Sequence, residues 1–330
     1  MRENARTNGP RTMRAPDGAT RDGATRDGAT TSTESARLAV AGRLASLYAD
    51  DPAVIGALCA GSTGRGDADR WSDLEMLVLW ESRPTDDQRR HAPTASAATA
   101  VRLFDYHPAE FSAADDFWLD GEPGAGLLVE VGHASAGDAT AALDRLLVDA
   151  SPDPYLLTVA AAYAYGVPLY GNVAPWRERV ETYPSALAAA VITRHGQIDN
   201  FWRWRMYVER DNPHGLRAHF AATATALTHI ACALSGRFWP GPKWPGRTLA
   251  GLPVAPVDIA ERLVAVDEMP PSDAAAALTD LVEESYDLVD VRGPDVDVDR
   301  LRRIFRFGRA PWPPERGGRA ADYDGGIAAA

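Results

Sequence analysis

Ala60–Trp80 reads AGSTGRGDADRWSDLEMLVLW. The apolar run that leads into it, Val54–Ala60 (VIGALCA), has the length of a buried strand and stops at Gly61. A polar segment rich in Gly, Ser and Asp continues to Arg70 and predicts a loop or short helix. Leu74–Trp80 (LEMLVLW) is apolar except for Glu75 and predicts a second strand. Residues two apart on a strand share a face, so Asp73 and Glu75 point the same way. Two parallel carboxylates repel each other unless a cation lies between them. A hard divalent ion satisfies both, and Mg²⁺ is typically held by one or two carboxylates together with substrate phosphates. Gly61 lets the backbone approach a phosphate closely. Ser62 and amides at a helix start can donate to its oxygens.

The chain has 330 residues, 45% apolar and 24% charged, enough for two domains with real cores. With 34 basic and 46 acidic side chains the net charge is −12, which disfavours a nucleic-acid backbone as the main partner. No window of about 18 apolar residues occurs, so no membrane span is expected. The N-terminal MRENARTNGPRTMR has no apolar core, and no secretory leader is expected. Cys59 and Cys232 both sit in apolar runs and read as buried, reduced thiols of a cytoplasmic protein. Of the 34 basic residues, 33 are Arg and one, Lys243, is Lys.

Residues 1–33 are low in complexity; Asp17–Thr30 reads DGATRDGATRDGAT. Such a segment buries too little apolar surface to offset its ordering entropy, so a disordered tail is expected there. Helix is expected over Ser35–Ala49 and Asp86–Ala100, and strand over Val101–Tyr106 and Leu127–Gly132. These alternating elements predict an α/β or α+β domain over residues 34–150. The second half reads as helices: Pro154–Tyr165, Pro184–Arg210, Leu216–Ser235, Pro253–Val266 and Ser272–Asp290. A helical substrate-binding domain is expected over 151–308, then a loose tail over 309–330. A ligand site is expected between the two domains.

Gly-Ser followed about ten residues later by Asp-x-(Asp/Glu) on a strand resembles the signature of the polymerase-β-like nucleotidyltransferases, which include the bacterial antibiotic nucleotidyltransferases. Gly166–Gly171 (GVPLYG) followed by a helical bundle, and Arg237–Pro245 (RFWPGPKWP), are similar to later segments of that group. The resemblance covers roughly residues 40–250. Glu75 stands where many members have Asp. The fold implied is α+β, a small mixed-sheet nucleotidyltransferase domain followed by an α-helical bundle. The activity implied is Mg²⁺-dependent transfer of a nucleoside monophosphate from an NTP, ATP first among them, to a hydroxyl. The acceptor implied is a small molecule of the cationic aminoglycoside type, and the role implied is antibiotic resistance. A natural-product intermediate, a protein or a tRNA end are alternative acceptors, and a non-catalytic nucleotide-binding regulator is the alternative without chemistry.

The resemblance implies a third carboxylate on a neighbouring strand. Glu130, the one acid in LLVEVG, is the candidate, as a metal ligand or as the general base; its other reading is a surface Glu on an edge strand. Asp105 and Asp120 are rivals in more polar surroundings. Asp73, Glu75 and Glu130 are thus the catalytic and metal candidates, and Gly61, Ser62, Arg65, Ser72 and Lys243 the nucleotide-binding ones. Arg65 also reads as a solvated loop residue, Ser72 as a local hydrogen-bonder, and Lys243 as a surface residue beside Trp244. Asp67 and Asp69 read as solvated or as ligands, and His133, just after the third strand, as a residue near the site or as structural. Phe201, Trp202, Trp204 and Tyr207 read as packing or as a stacking wall. Asp199 and Glu209 read as helix-surface charges or as contacts to a cationic acceptor. Arg194, Arg203, Arg205, Arg210 and Arg217 keep a tRNA acceptor open.

Overall fold

The computed structural model describes residues 13–14, 28–200 and 203–308. The chain divides into two compact units, one of Thr12–Tyr183 with Phe238–Pro240, the other of Pro184–Arg237 and the chain from Gly241. The fold is α+β: a mixed sheet in the first unit and helices in the second.

The first unit opens with a two-residue strand β1 (Met13–Arg14) and helix α1 (Gly28–Tyr48). It continues through β2 (Val54–Cys59), α2 (Gly61–Arg65), β3 (Leu74–Trp80) and α3 (Asp86–Ala95). Then come β4 (Thr99–Leu103), β5 (Ala113–Leu119), β6 (Leu127–Ser135) and α4 (Ala136–Leu143). It closes with α5 (Pro154–Tyr165), β7 (Val167–Gly171), α6 (Ala174–Arg179) and β8 (Thr182–Tyr183). Six strands form one sheet in the order β4-β5-β6-β3-β2-β7, and β1 pairs with β8 apart from it. Only β3 and β6 run parallel in the six-stranded sheet; its other neighbours are antiparallel.

One face of that sheet is the core. Leu74, Met76 and Val78 of β3 and Val129 and Val131 of β6 are buried there, with Ala41, Leu44, Ala45 and Tyr48 of α1 and Ala92 of α3. α3 begins on a capping box: Thr85 accepts the Gln88 N–H, and Gln88 Oε1 accepts the Thr85 N–H.

Several expected boundaries move. α1 starts at Gly28 and Met13–Arg14 pair with β8, so part of the expected 1–33 tail is structured; the rest, like 309–330, lies outside the described residues. α3 stops at Ala95, after Pro93, and the Ala-rich stretch beyond it becomes β4. Alanine propensity loses there to pairing with β5. β5 itself was not expected, because Asp115 and Asp116 interrupt its apolar pattern. The sheet unit runs past 150 to Tyr183, since β7 supplies its sixth strand.

Asp115 is fully buried on the core face beside Arg89 of α3 and His133 of β6. Arg89 donates to Asp115 Oδ1 at 2.6 Å and to the Phe104 carbonyl at 2.9 Å. His133 Nε2 stands 3.0 Å from Asp115 Oδ2, and His133 Nδ1 accepts from Trp80 Nε1 at 3.1 Å. The indole N–H places the imidazole proton on Nε2, facing the carboxylate. Burial holds His133 below the ordinary imidazole range, so this cluster is one guanidinium, one carboxylate and a neutral ring.

The second unit holds α7 (Ser185–His195), α8 (Arg203–Glu209), α9 (Pro213–Leu234), α10 (Pro245–Ala250), α11 (Ile259–Val266), α12 (Pro271–Arg292) and α13 (Val298–Arg306). The expected 184–210 helix is two helices, α7 and α8. Asn212 caps α9 with Pro213 as its first residue, and Asp297 caps α13. Tyr286 donates its hydroxyl to the Gly196 carbonyl at 2.6 Å, tying α12 to the end of α7. His195 of α7 stacks on His229 of α9 with centroids 3.9 Å apart. Among the described residues no helix is long and apolar enough to cross a membrane.

Truncating Arg89 leaves the fully buried Asp115 carboxylate without its guanidinium, whereas truncating Asp115 leaves Arg89 still paired with Asp86 at 2.8 Å. Arg89→Ala should lower the unfolding free energy by about 3–5 kcal/mol in urea titrations, and Asp115→Ala by less, because Arg89 keeps Asp86. The double replacement Arg89→Met with Asp115→Leu should cost less than either single change. In the second unit, burial depresses His195 to about 4 and His229 to about 3. The unfolded chain then binds more protons than the folded one from roughly pH 6.5 downward. Stability should therefore fall as pH drops through that window, and His229→Leu should flatten the fall of Tm between neutral and acidic buffers.

Candidate metal centre

The site lies on the sheet face opposite the core. β2 and β3 are antiparallel neighbours, with Cys59 opposite Met76. The Ala60 N–H donates to the Glu75 carbonyl at 2.8 Å, so the chain leaves β2 directly beside Glu75. Gly61 then turns it with φ +56°. A Cβ on Gly61 would overlap the Glu75 carboxylate, so only glycine clears this spot. α2 follows and ends at Gly66, whose φ of 78° is left-handed.

β3 and β6 are parallel and in register, with Glu75 directly beside Glu130. Asp73, one residue before β3, falls on the same face as Glu75. The structure thus brings Asp73, Glu75 and Glu130 together: one oxygen of each lies within 4.8 Å of the others, and all three are half-buried. At an effective dielectric near 20, unit charges that far apart repel by roughly 3 kcal/mol. The donor set is all hard oxygen, and it fits a hard divalent cation such as Mg²⁺. Cys59 adds no soft ligand. Burial first, and the Glu75 charge second, push its thiol up to about 12.

The loop that delivers Asp73 is held from two sides. Arg37 of α1 donates from Nε and Nη2 to the Ser72 carbonyl at 3.0 and 2.6 Å. Burial draws the Arg37 guanidinium down from its ordinary range, while Asp69 and Asp73 pull it back up. Ser72 Oγ donates to Asp69 Oδ1 at 3.1 Å and accepts the Asp69 N–H at 3.0 Å. Asp69 therefore closes a turn.

The remaining expected residues divide. Ser62 is buried at 3% exposure, and its carbonyl accepts the Asp67 N–H at 2.8 Å. Arg65 lies 3.4 Å from Asp67, half-buried in the same loop. Asp105 and Asp120 are exposed, and Asp105 lies beyond the end of β4. His133 is in the core behind the site, as its structural reading held. Lys243 is exposed in the second unit, before α10. Trp204 and Tyr207 lie on α8; Phe201 and Trp202 lie outside the described residues.

Two contributors were missed. Arg37 sits in a helix read only for its apolar stripe. Asp116 of β5 is directly beside Glu130 in the antiparallel register and so shares the face of the three acids; Arg102 of β4 lies beside it in turn. Burial raises Asp116 above the usual carboxylate range, Arg102 lowers it, and Asp115 raises it again. The adjacent acids of AADDFWL were the available signal, since neighbours on a strand serve opposite faces.

No protein-family model and no curated protein matches the chain. Among solved structures it is similar to a nucleotidyltransferase-like protein from Exiguobacterium sibiricum 255-15. The identity is 12%, over 78% of this chain and 76% of that one, with a TM-score of 0.34. It is also similar to the Cid1 poly(U) polymerase, at 13% identity over 40% of each chain and a TM-score of 0.26. For the MgGTP-bound form of Cid1 the identity is 14%, over 79% of this chain and 68% of that one, with a TM-score of 0.29.

Mg²⁺ should raise the Tm of the wild-type chain in a scan against EDTA, by several degrees at about 100 times its Kd. Glu75→Gln should melt at or above the wild type in EDTA, having lost a repulsive charge, and should not respond to Mg²⁺. Gly61→Ala should also lose the Mg²⁺ response, because the new methyl displaces the Glu75 carboxylate. Its far-ultraviolet circular dichroism should stay that of the wild type.

Proposed function

We propose that the chain is a Mg²⁺-dependent nucleotidyltransferase, moving a nucleoside monophosphate from an NTP, with ATP as the first choice, to a hydroxyl of a small molecule. The observation that carries this reading is the convergence of Asp73, Glu75 and Glu130 beside the Gly61 turn. Two adjacent strands, one leading into Gly61-Ser62 and the other preceded by Asp73 and carrying Glu75, support it as well.

In the reaction, the acceptor oxygen bonds to the α-phosphorus. The bond from that phosphorus to the α,β-bridging oxygen breaks, and pyrophosphate leaves. Asp73 and Glu75 would hold the metal. Bound Mg²⁺ supplies Lewis-acid charge against the phosphates. Glu130, one strand away from Glu75, takes the proton of the acceptor hydroxyl or shares the metal. The Gly61 turn gives a phosphate room at the backbone, and Arg65 and Lys243 are the proposed cationic contacts to the triphosphate. With its hydroxyl engaged by Asp69, Ser72 contributes by setting the position of Asp73. Arg37 does so through the Ser72 carbonyl.

A cationic acceptor of the aminoglycoside type suits the site's charge. Asp116 extends the acidic row past Glu130, so an amine on the acceptor has a carboxylate to meet. The net charge of −12 points the same way.

The test is pyrophosphate release from Mg-ATP and the other NTPs against a panel of aminoglycosides and neutral sugars. Release should require an acceptor and fall at least about a hundredfold in Glu130→Gln, the range for loss of a general base. Asp73→Ala should abolish it. Wild-type turnover in Asp73→Ala overturns the catalytic assignment. Release that no small acceptor stimulates but a tRNA does would move the acceptor to the polynucleotide alternative.

A further inference from the structure

The second unit contains a cavity of about 610 Å³, bordered by Asp199, Asn200, Arg203, Arg300, Arg303 and Phe307. Three arginines thus border one cavity in a chain of net charge −12. The origin of the feature is visible along α13, whose sequence is VDRLRRIFR. Arg302 reaches Glu283 at 3.3 Å and Asp287 at 2.6 Å, and Arg306 reaches Glu283 at 2.8 Å. These two dock the helix onto α12. Arg300 and Arg303 are one helical turn apart and lie on one side. Among the described residues neither guanidinium has an ion-pair partner, and both border the cavity. Arg203 enters from α8 and pairs with Asp199.

Three guanidiniums and one carboxylate leave two positive charges. A phosphate monoester carries about −1.5 to −2 at pH 7 and offers three strong acceptor oxygens. Guanidinium groups match such oxygens two at a time. Phe307 is exposed at the rim and offers a ring face to a planar group. The Asn200 amide supplies both a donor and an acceptor for a polar edge. The volume falls within the roughly 300–1,000 Å³ of small-molecule pockets. A site of that size suits a single nucleotide better than an extended polymer track.

We propose that this cavity binds an organic phosphate of mononucleotide size, with the phosphate held by Arg300, Arg303 and Arg203 and the planar part against Phe307. The site is built from residues of the helical unit alone and does not rest on the reading of the carboxylates.

The experiment is calorimetric titration of the full chain in EDTA with AMP, inorganic phosphate, adenosine and a short single-stranded RNA. AMP should bind saturably and more tightly than inorganic phosphate, adenosine should give no heat, and added salt should weaken binding. Arg300→Gln with Arg303→Gln keeps good helix formers at both exposed positions. It should weaken AMP by at least about tenfold, the loss of one charge-assisted hydrogen bond or more. Phe307→Ala should weaken AMP and leave inorganic phosphate unchanged. Asp73→Asn with Glu75→Gln should leave AMP binding at the wild-type level, which separates this site from the carboxylates. AMP binding that survives the arginine pair, or that disappears with the carboxylate pair, overturns the proposal. Equal affinity for phosphate and AMP overturns the organic part. RNA bound through Arg300 and Arg303 in the absence of any AMP binding replaces it with a polynucleotide surface.

Discussion

The parallel register of β3 on β6 is the constraint on which the site depends. It puts Glu75 beside Glu130, and a shift of one residue would set Glu75 beside a side chain of the opposite face. The acids do not choose this register, since they repel each other. It is imposed from the far side of the sheet, where Leu74, Met76 and Val78 are buried with Val129 and Val131 against α1 and α3. Apolar burial on one face, at roughly 25 cal/mol per Å², outweighs charge repulsion on the other. The same strands therefore carry the core of the domain and its cluster of acids on alternate residues.

β5 shows the alternation at its sharpest. Asp115 goes into the core and is matched there by Arg89 and His133, whereas Asp116 goes to the face of the three acids and lies beside Glu130. A buried ion pair seldom adds net stability over an apolar core. Its effect here is positional: it ties α3, β5 and β6 together directly behind the carboxylates. His133, three residues after Glu130, is held in turn by Trp80 at the end of the strand that carries Glu75.

What the sequence showed clearly were features whose signal is local. The strand–turn–strand around Gly61, the common face of Asp73 and Glu75, and Glu130 within an apolar run all follow from period-two spacing. Their meeting in space also needed a parallel pairing between segments more than fifty residues apart, which the resemblance implied and spacing could not. β5 was hidden because its buried acid imitates a polar loop; the partner that makes burial tolerable, Arg89, lies in a different helix. Arg37 was hidden for a similar reason. Its role is defined by the Ser72 carbonyl, 35 residues away, and a backbone acceptor leaves no mark in the side-chain sequence.

The arginines extend this point to charge. With 33 of 34 basic residues being Arg, the residue type carries little information, and composition drew attention to the exception, Lys243. Partnering separates them better. On α13 the guanidiniums alternate between two tasks: Arg302 and Arg306 meet the acids of α12, and Arg300 and Arg303 do not. The helix is held by the first pair, so the second is not required for docking. Retaining two like charges one turn apart on an exposed helix costs a few tenths of a kcal/mol, about as much as an opposite pair would contribute. Among the described residues, Asp297 and Asp299 at the start of α13 make no ion pair with Arg300 or Arg303, and the one carboxylate bordering the cavity, Asp199, is engaged by Arg203.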